Sequence, residues 1–185
     1  MSTPAAPASA PAKLPGSLEA NKRISKWIRI NAGGTIDVSP GKVEIGQGIT
    51  TALAQIAADE LGVRFERIRM VRASTAFSPD EGVTSGSQSI QESGTAIRWV
   101  AAEVRAIYLA VAAEKLGVPA DKLKLEDGSF LGEGNLATSY WELADSKLLE
   151  REATASAKPL PSAERKLAGQ AVQRTDIPDK VFGRP

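Results

Sequence analysis

One long helical pattern, from about Ser89 to Leu116, constrains the fold of this chain more than any other stretch. Apolar side chains recur through it at spacings of three and four residues, at Ile97, Val100, Val104, Ile107, Tyr108 and Val111. That spacing predicts a helix with one apolar face, which a sheet or another helix must cover. Gly117 ends the pattern. Gly94 interrupts it early, so either the helix begins after Gly94, or a close contact there offsets a cost of about 1 kcal/mol relative to alanine.

Short alternating runs ahead of this helix predict a small sheet. Residues 27–31 and 35–39 flank the pair Gly33-Gly34, and together they predict a β-hairpin. Residues 42–45 and 67–72 also alternate between apolar and polar side chains, and they predict two further strands. We expect the strand at residues 67–72 to pair with the hairpin.

A second, shorter helical pattern lies between those last two strands. Thr50 or Thr51 can cap it, Gly62 ends it, and its apolar stripe consists of Leu53, Ile56, Ala57 and Leu61. The chain also contains an internal sequence similarity. Glu60–Met70 resembles Lys115–Leu125, since each has a helix end, Leu-Gly-Val and then an alternating strand. This similarity predicts two β/α units of similar build.

After the second unit, the sequence predicts smaller elements. Asp127-Gly128 is typical of a turn, and residues 130–131 fit a short strand. Residues 139–142 form a capping box, which predicts a short helix to about Ala144. The fold class predicted for the whole chain is α+β: one small mixed β-sheet of four or five strands, two main helices packed on one face, and extended tails at both ends.

Composition divides the chain into three parts. Residues 1–15 are rich in alanine, proline and serine and predict a disordered tail. Residues 16–150 carry the patterned segments and predict one α+β domain. Residues 151–185 are again rich in alanine, proline, lysine and serine, but apolar residues are spread along them. We interpret this last part as a strap laid across another surface, either the chain's own or that of a partner chain.

The composition also excludes several kinds of site. The chain has no cysteine and no histidine, which removes thiolate and imidazole metal ligands, cysteine nucleophiles and Ser-His-Asp triads. The net charge of +1 gives no electrostatic footprint for nucleic acid. A metal or redox centre would have to arrive in a cofactor that carries its own ligands. No signal peptide is recognisable, which favours the cytoplasm, although a partner with a signal could carry the assembly to the periplasm or a membrane.

Two polar, glycine-containing segments are the candidate binding sites. Gly46-Gln47-Gly48 lies at the predicted turn into the first helix, and residues 78–94 combine glycine with many serine, threonine and glutamine side chains. Glycine lets a backbone approach a ligand closely, and these side chains supply neutral hydrogen-bond donors. The alternatives are a tight turn and an ordinary surface loop. A nucleotide-binding fingerprint is a weak third possibility, since it would need a glycine where Thr51 stands.

Together these segments resemble the xanthine dehydrogenase/aldehyde oxidase family, specifically the molybdopterin-binding large subunits of isoquinoline oxidoreductase and nicotinate dehydrogenase type. The resemblance rests on GKVEIGQGI (Gly41–Ile49), TALAQ (Thr51–Gln55) and PDEGVTSGSQSIQESG (Pro79–Gly94). WIRI (Trp27–Ile30) and RTDIPDKVFGR (Arg174–Arg184) also look like this branch. The resemblance extends from about residue 14 to the end of the chain.

This resemblance implies a molybdopterin cofactor, commonly the cytosine dinucleotide form in bacteria, whose dithiolene holds a molybdenum ion. Such enzymes insert oxygen derived from water into an aldehyde or an N-heterocycle, and electrons leave through a separate 2Fe-2S subunit. The cofactor-binding residues implied here are Gly46, Gln47, Gly48, Thr84, Ser85, Gly86, Ser87, Gln88, Ser89 and Gln91.

The chain also departs from the family pattern. The GGGFG-type motif and the catalytic glutamate near the end of the full subunit are absent, and Glu44, Asp80, Glu81 and Glu92 do not match that base. We therefore expect one piece of a split large subunit, or a fragment of one, that is not catalytic alone. Its expected partners are of three kinds: a large chain with both missing features, a 2Fe-2S subunit, and a cytochrome c or other electron acceptor. The alternative is a structural or assembly subunit of the same kind of complex, without cofactor contact.

Overall fold

In the computed structural model, which describes residues 14–183, the predicted hairpin forms and starts a three-stranded sheet. Strands β1 (Ile28–Asn31) and β2 (Thr35–Val38) pair antiparallel, with Ile30 opposite Ile36. Strand β3 (Ile68–Met70) pairs with β2 in parallel, as a mixed sheet requires. A parallel neighbour needs a long crossover connection, and helix α1 (Ile49–Leu61) lies within that connection.

The two predicted helices pack against each other. α1 lies between Gly48 and Gly62, both left-handed, and its predicted stripe is buried. Helix α2 (Thr95–Leu116) follows a single π-helical turn (Ile90–Gly94), so helical conformation continues through Gly94. A Cβ added to Gly94 would lie 3.2 Å from the Ile56 side chain on α1. Of the two alternatives for this glycine, the structure therefore contains the close contact.

The predicted stripe of α2 is only partly buried. Ile97, Val100, Val104 and Tyr108 are fully enclosed, whereas Ile107 and Val111 are half-buried beside a groove. The Tyr108 ring also meets Tyr140 edge-to-face, at 5.2 Å between ring centroids. Each large apolar side chain buried in this way contributes about 1.5–3 kcal/mol, which makes the two helices a firm support for the loops that precede them.

The later strands form a second sheet, so the prediction of one sheet with four or five strands is wrong in that detail. Strands β4 (Lys124–Glu126), β5 (Ser129–Leu131) and β6 (Ala137–Ser139) make an antiparallel meander. Short connections favour pairing between strands that are neighbours in sequence. The turn at Asp127-Gly128 is confirmed, with both residues at positive φ, and so is the α+β class. The sequence analysis missed β6.

Two predicted elements are absent. Residues 42–45 form no strand, because their main-chain groups bond to side chains instead: the N–H of Val43 to Thr84, and that of Ile45 to Gln47. The capping box at residue 139 produces one turn and no helix, although the N–H of Glu142 donates to the Ser139 hydroxyl. The Glu142 carboxylate accepts from Thr138 and Lys115 rather than reaching back to the cap.

Single turns of 3-10 helix occupy many of the connections. They span Gly16–Leu18, Ile24–Lys26, Phe65–Arg67, Ala120–Lys122, Ser146–Leu149 and Ser162–Glu164. Most of the predicted N-terminal tail lies outside the described residues; Leu14, near its end, is described and buried. Among residues 14–183, no helix is both long enough and apolar enough to cross a bilayer.

The C-terminal strap, residues 151–183, lies on the chain's own surface. It starts beside the N-terminal segment, where the main chain of Glu152 forms an isolated antiparallel β-bridge with Arg23. The N–H of Ala153 donates to the carbonyl oxygen of Lys22 at 2.8 Å. Near its end it forms the short helix α3 (Ile177–Val181), where the sequence predicted an extended tail. Of the two surfaces that the sequence left open for the strap, the described residues therefore lie on the first.

Candidate functional site

The two candidate segments form neighbouring loops. We call residues 41–48 the GQG loop and residues 78–94 the serine loop. The first leads into α1 and the second into α2, so the packed helix pair carries both. They meet directly where the N–H of Val43 donates to the Thr84 hydroxyl at 3.0 Å. The structure thus places the predicted sites, far apart in sequence, side by side.

A buried lysine joins the two loops. The ammonium of Lys42 donates to the carbonyl oxygen of Glu81 at 2.6 Å and to that of Val83 at 2.9 Å. Lys42 is only 5% exposed. A buried ammonium that meets two carbonyl oxygens holds both loops in one arrangement, because separating them would leave polar groups without partners.

Glu81 makes the second link between the loops. Its carboxylate accepts the N–H of Gly41 at 2.6 Å and the hydroxyl of Ser93 at 2.8 Å, and it also bonds to the hydroxyl of Ser17. Space here is tight, since a Cβ added to Gly41 would lie 2.2 Å from the carbonyl oxygen of Pro79. The contact therefore requires glycine at position 41.

The Glu44 carboxylate binds the free N–H groups at the N-terminus of α1. Its carboxylate accepts the N–H groups of Gly46 and Gly48, both at 2.9 Å, and that of Thr50 at 3.2 Å. Burial opposes ionisation, but the bonds from Gly48, Thr50 and Gly46 outweigh it, so the pKa of Glu44 lies below its ordinary value. The helix cap predicted at Thr50 or Thr51 is wrong, because Glu44 satisfies these donors from outside the helix.

Gln47 lies at the exposed tip of the GQG loop, between two glycines at positive φ. Its side-chain amide turns back onto the loop, accepting from the N–H of Ile45 at 2.7 Å and donating to the carbonyl oxygen of Val43 at 2.9 Å. These local bonds shape the tip. A ligand that uses the amide of Gln47 would have to exchange with them.

The serine loop presents its donors outward. Gly86 and Ser87 both have positive φ, in a tight turn that the N–H of Gln88 closes onto the carbonyl oxygen of Ser85 at 3.3 Å. Such a conformation is strained for serine. Among residues 14–183, five predicted site side chains make no hydrogen bond to other protein groups: Ser85, Ser87, Gln88, Ser89 and Gln91. These five side chains are neutral hydrogen-bond donors that remain available to a ligand.

Three acidic residues near the loops have structural partners. Glu44 and Glu81 are held as described, and the Asp80 carboxylate accepts the N–H of Gly82 at 3.0 Å. Sequence reasoning did not find the links made by Lys42 and Glu81, nor a role for Arg174, whose guanidinium donates to the Gly46 carbonyl oxygen at 2.9 Å. Lys42 and Glu81 stand inside the two motifs, but nothing local indicates that they meet.

Comparison with known proteins identifies the kind of domain that carries these loops. A family model described as the molybdopterin cofactor-binding domain matches residues 6–174. The chain belongs to this family. The resemblance noted from the GQG and serine motifs is confirmed.

Individual members of the molybdopterin-binding family show the same relationship. The chain is 32% identical to a nicotinate dehydrogenase subunit of Pseudomonas putida over 162 residues, covering 88% of this chain and 14% of that protein. It is 30% identical to the beta subunit of isoquinoline 1-oxidoreductase of Brevundimonas diminuta, covering 65% and 16%. Among solved structures, CO dehydrogenase from Oligotropha carboxidovorans matches with a TM-score of 0.54 and 31% identity, covering 63% and 15%. The chain thus spans about one sixth of each relative or less.

The loop chemistry fits a molybdopterin. A pterin edge and a phosphate each bind several neutral donors, and the serine loop offers uncommitted hydroxyl and amide groups. The helix N-terminus does not add an anion site, because Glu44 already occupies the N–H groups of Gly46, Gly48 and Thr50. The donors available for a ligand are therefore mainly those of the serine loop.

Proposed function

We propose that this chain is the molybdopterin-binding part of a multi-subunit molybdenum hydroxylase or dehydrogenase that oxidises an aldehyde or an N-heterocycle. One observation carries the proposal: the buried Lys42 fixes the GQG loop against the serine loop, whose donor side chains face outward. Membership of the molybdopterin-binding family supports it. When bound, the cofactor would supply dithiolene sulfur for molybdenum, which accounts for the chain's function without cysteine or histidine ligands.

In this proposal, the two loops share the work of binding. Gly46, Gln47 and Gly48 let the GQG loop lie close to the cofactor, while the serine loop donates hydrogen bonds. The proposed donors are Thr84, Ser85, Ser87, Gln88, Ser89 and Gln91, with Gly86 allowing a close backbone approach. The Thr84 hydroxyl accepts the N–H of Val43 at the loop contact and can still donate its own proton to the cofactor.

The active site would be completed by a partner chain. Each loop carries an exposed apolar side chain, with Ile45 70% and Val83 78% accessible. Large exposed apolar side chains around a polar centre are typical of a surface that another protein covers. The proposed partner carries the GGGFG-type motif and the catalytic glutamate. A 2Fe-2S subunit and an electron acceptor such as a cytochrome c complete the assembly, and the cytosine dinucleotide form is the proposed cofactor.

Co-purification tests this function directly. The tagged chain should bring down a much larger chain with the GGGFG-type motif, together with molybdenum and a pterin that can be oxidised to a fluorescent product. Gln47→Ala and Gly86→Leu should lower the pterin and molybdenum content while the complex stays assembled. A complex without molybdenum would overturn the proposal.

The alternative function is an assembly subunit that keeps the fold but does not touch the cofactor. One observation favours it, namely that Glu44 and Gln47 satisfy the GQG loop from within the chain. Under this alternative, Gln47→Ala and Gly86→Leu would leave turnover and cofactor content unchanged, whereas loss of the whole chain would abolish assembly. The two functions therefore give opposite results with the same variants.

A further inference from the structure

One side of α1 is a polar stripe that binds the strap. Thr51, Gln55 and Asp59 stand four residues apart and therefore share a helix face. Asp59 accepts three consecutive strap N–H groups, those of residues 166–168, at 2.8–2.9 Å. Gln55 donates to the carbonyl oxygens of Leu167 and Gln170. The strap thus follows α1 from its C-terminal half toward its N-terminus, where the GQG loop lies.

Two further carboxylates hold the earlier part of the strap. Glu103 accepts the N–H groups of Thr154 and Ala155 at 2.9–3.1 Å, and Glu60 accepts that of Leu160 at 2.9 Å. Both carboxylates are buried, and Glu60 also meets Arg98 at 3.0 Å. Burying a carboxylate costs free energy unless hydrogen-bond donors or a cation pair with it. The strap is therefore seated by specific bonds, although it has little regular secondary structure.

The seated strap ends on the GQG loop. The N–H of Thr175 donates to the Thr51 hydroxyl at 3.1 Å, which fixes the strap beside the first turn of α1. The neighbouring Arg174 donates to the carbonyl oxygen of Gly46 at 2.9 Å and lies 3.6 Å from the Glu44 carboxylate. Asp176 accepts two parallel bonds from the same guanidinium, at 2.8 and 3.0 Å, and so fixes its plane.

Few other contacts hold the tip of this loop. Gly46 and Gln47 are exposed, a Cβ added to Gly46 would meet nothing within 4 Å, and the bonds of Glu44 and Gln47 connect residues at most six apart. The bond from Arg174 joins positions 128 residues apart in sequence. It is the long-range contact at the Gly46 carbonyl, and it comes from the strap.

We propose that Arg174 is a positioning residue for the GQG loop, and that seating of the strap along α1 is coupled through it to cofactor binding. The coupling to the cofactor rests on the proposed function. The coupling between strap and loop depends only on the contacts of Arg174 and α1. A strap released from α1 would carry Arg174 away from Gly46, and the loop would then sample other shapes.

Hydrogen exchange on the purified complex tests the coupling. Arg174→Gln should raise amide exchange at residues 45–48 by about tenfold, and it should lower the pterin content severalfold. Arg174→Lys keeps the charge but cannot donate to Gly46 and to both Asp176 oxygens in one plane, so it should restore only part of both properties. Arg64→Gln, which removes an exposed arginine–carboxylate pair with Asp127, is the matched control and should change neither.

The decisive experiment releases the strap from α1 at positions distant from Arg174. Asp59→Asn and the milder Gln55→Leu should raise exchange at residues 160–176 and also at residues 45–48. Combining either variant with Arg174→Gln should add little, because both break one pathway. If Arg174→Gln gives no folded complex, Arg174→Lys and Gln55→Leu make the same comparison.

The possible outcomes separate this inference from the proposed function. Unchanged exchange at residues 45–48 in Arg174→Gln, or in the strap-releasing variants, would overturn the coupling even if the complex contains molybdenum. A wild-type complex without molybdenum or pterin would overturn the proposed function, while the exchange data would still decide whether the strap positions the loop. Loosened loop exchange with full pterin content would show that the loop shape does not govern cofactor binding, and would overturn that part.

Discussion

Lys42 and Glu81 connect the two candidate binding loops, since the ammonium nitrogen of Lys42 lies 2.6 Å from the main-chain carbonyl oxygen of Glu81. The same ammonium also donates to the carbonyl oxygen of Val83 at 2.9 Å, so one side chain holds the two loops together. The geometry of the site therefore depends on a buried charge, and its removal has measurable consequences.

Lys42→Met should destabilise the chain by about 2–3 kcal/mol, because it leaves two carbonyl oxygens without the charged donor that they share. Urea unfolding of the purified protein measures the change. Lys124→Met removes an exposed lysine paired with Glu126 and should change the free energy of unfolding by less than about 0.5 kcal/mol. Equal effects of the two substitutions would show that the loop link contributes nothing.

Gly41→Ala should cost about 1–3 kcal/mol, since the added methyl group would overlap the Pro79 carbonyl oxygen at 2.2 Å and force the loops apart. Gly33→Ala is the control, because a Cβ there would meet nothing within 4 Å. We expect it to change stability by less than about 0.5 kcal/mol. Thermal unfolding of both variants checks the contrast, and a tolerated Gly41→Ala would contradict the close loop contact.

Glu44→Gln should lower stability by about 1 kcal/mol at pH 7, because the N–H groups at the start of α1 lose a charged acceptor. Those bonds hold the folded pKa of Glu44 below its unfolded value. The stabilisation is therefore complete above the unfolded pKa of about 4.3 and disappears as the pH falls through the lower folded pKa. The difference in urea midpoint between wild type and variant should shrink as the pH falls below about 4.3, and a difference that stays constant from pH 7 to pH 3 would contradict this explanation.

Ser87→Gly separates stability from binding. Glycine adopts the positive φ of 58° without strain, so stability should hold or rise by up to about 1 kcal/mol. If the Ser87 hydroxyl contacts the cofactor, the pterin content of the complex should nevertheless fall. Pterin content equal to that of the wild-type complex would remove Ser87 from the proposed site.

Much of the local structure was predictable from residue patterns. The hairpin at β1 and β2, both main helices and the turn at Asp127-Gly128 appear where periodicity and glycine placement indicated them. These elements depend on interactions between near neighbours in sequence. The same reasoning failed for residues 42–45, where alternation suggested a strand. The N–H of Val43 donates to the Thr84 hydroxyl of the serine loop instead of to a neighbouring strand.

The positions of the two candidate loops could be predicted from the sequence, but their arrangement could not. The GQG and serine motifs identified the two loops, and the family comparison confirms the kind of domain that carries them. The buried roles of Lys42 and Glu81 and the contact of Arg174 were not predictable, because each joins residues 12–128 positions apart. In Thr51, Gln55 and Asp59, a polar stripe at helical spacing was present in the sequence, but it did not identify its partner.

Short-range backbone preferences and side-chain periodicity are enough to specify the helices, the hairpin, the glycine-bounded turns and the donor-rich character of the serine loop. Long-range packing was needed to join the GQG loop to the serine loop, to lay the strap along α1 and to bring Arg174 to Gly46. Those features depend on which buried polar group finds which distant partner. Burial makes an unpaired charge or N–H costly, so the folded chain selects the arrangement in which Lys42, Asp59, Glu60 and Glu103 are all satisfied.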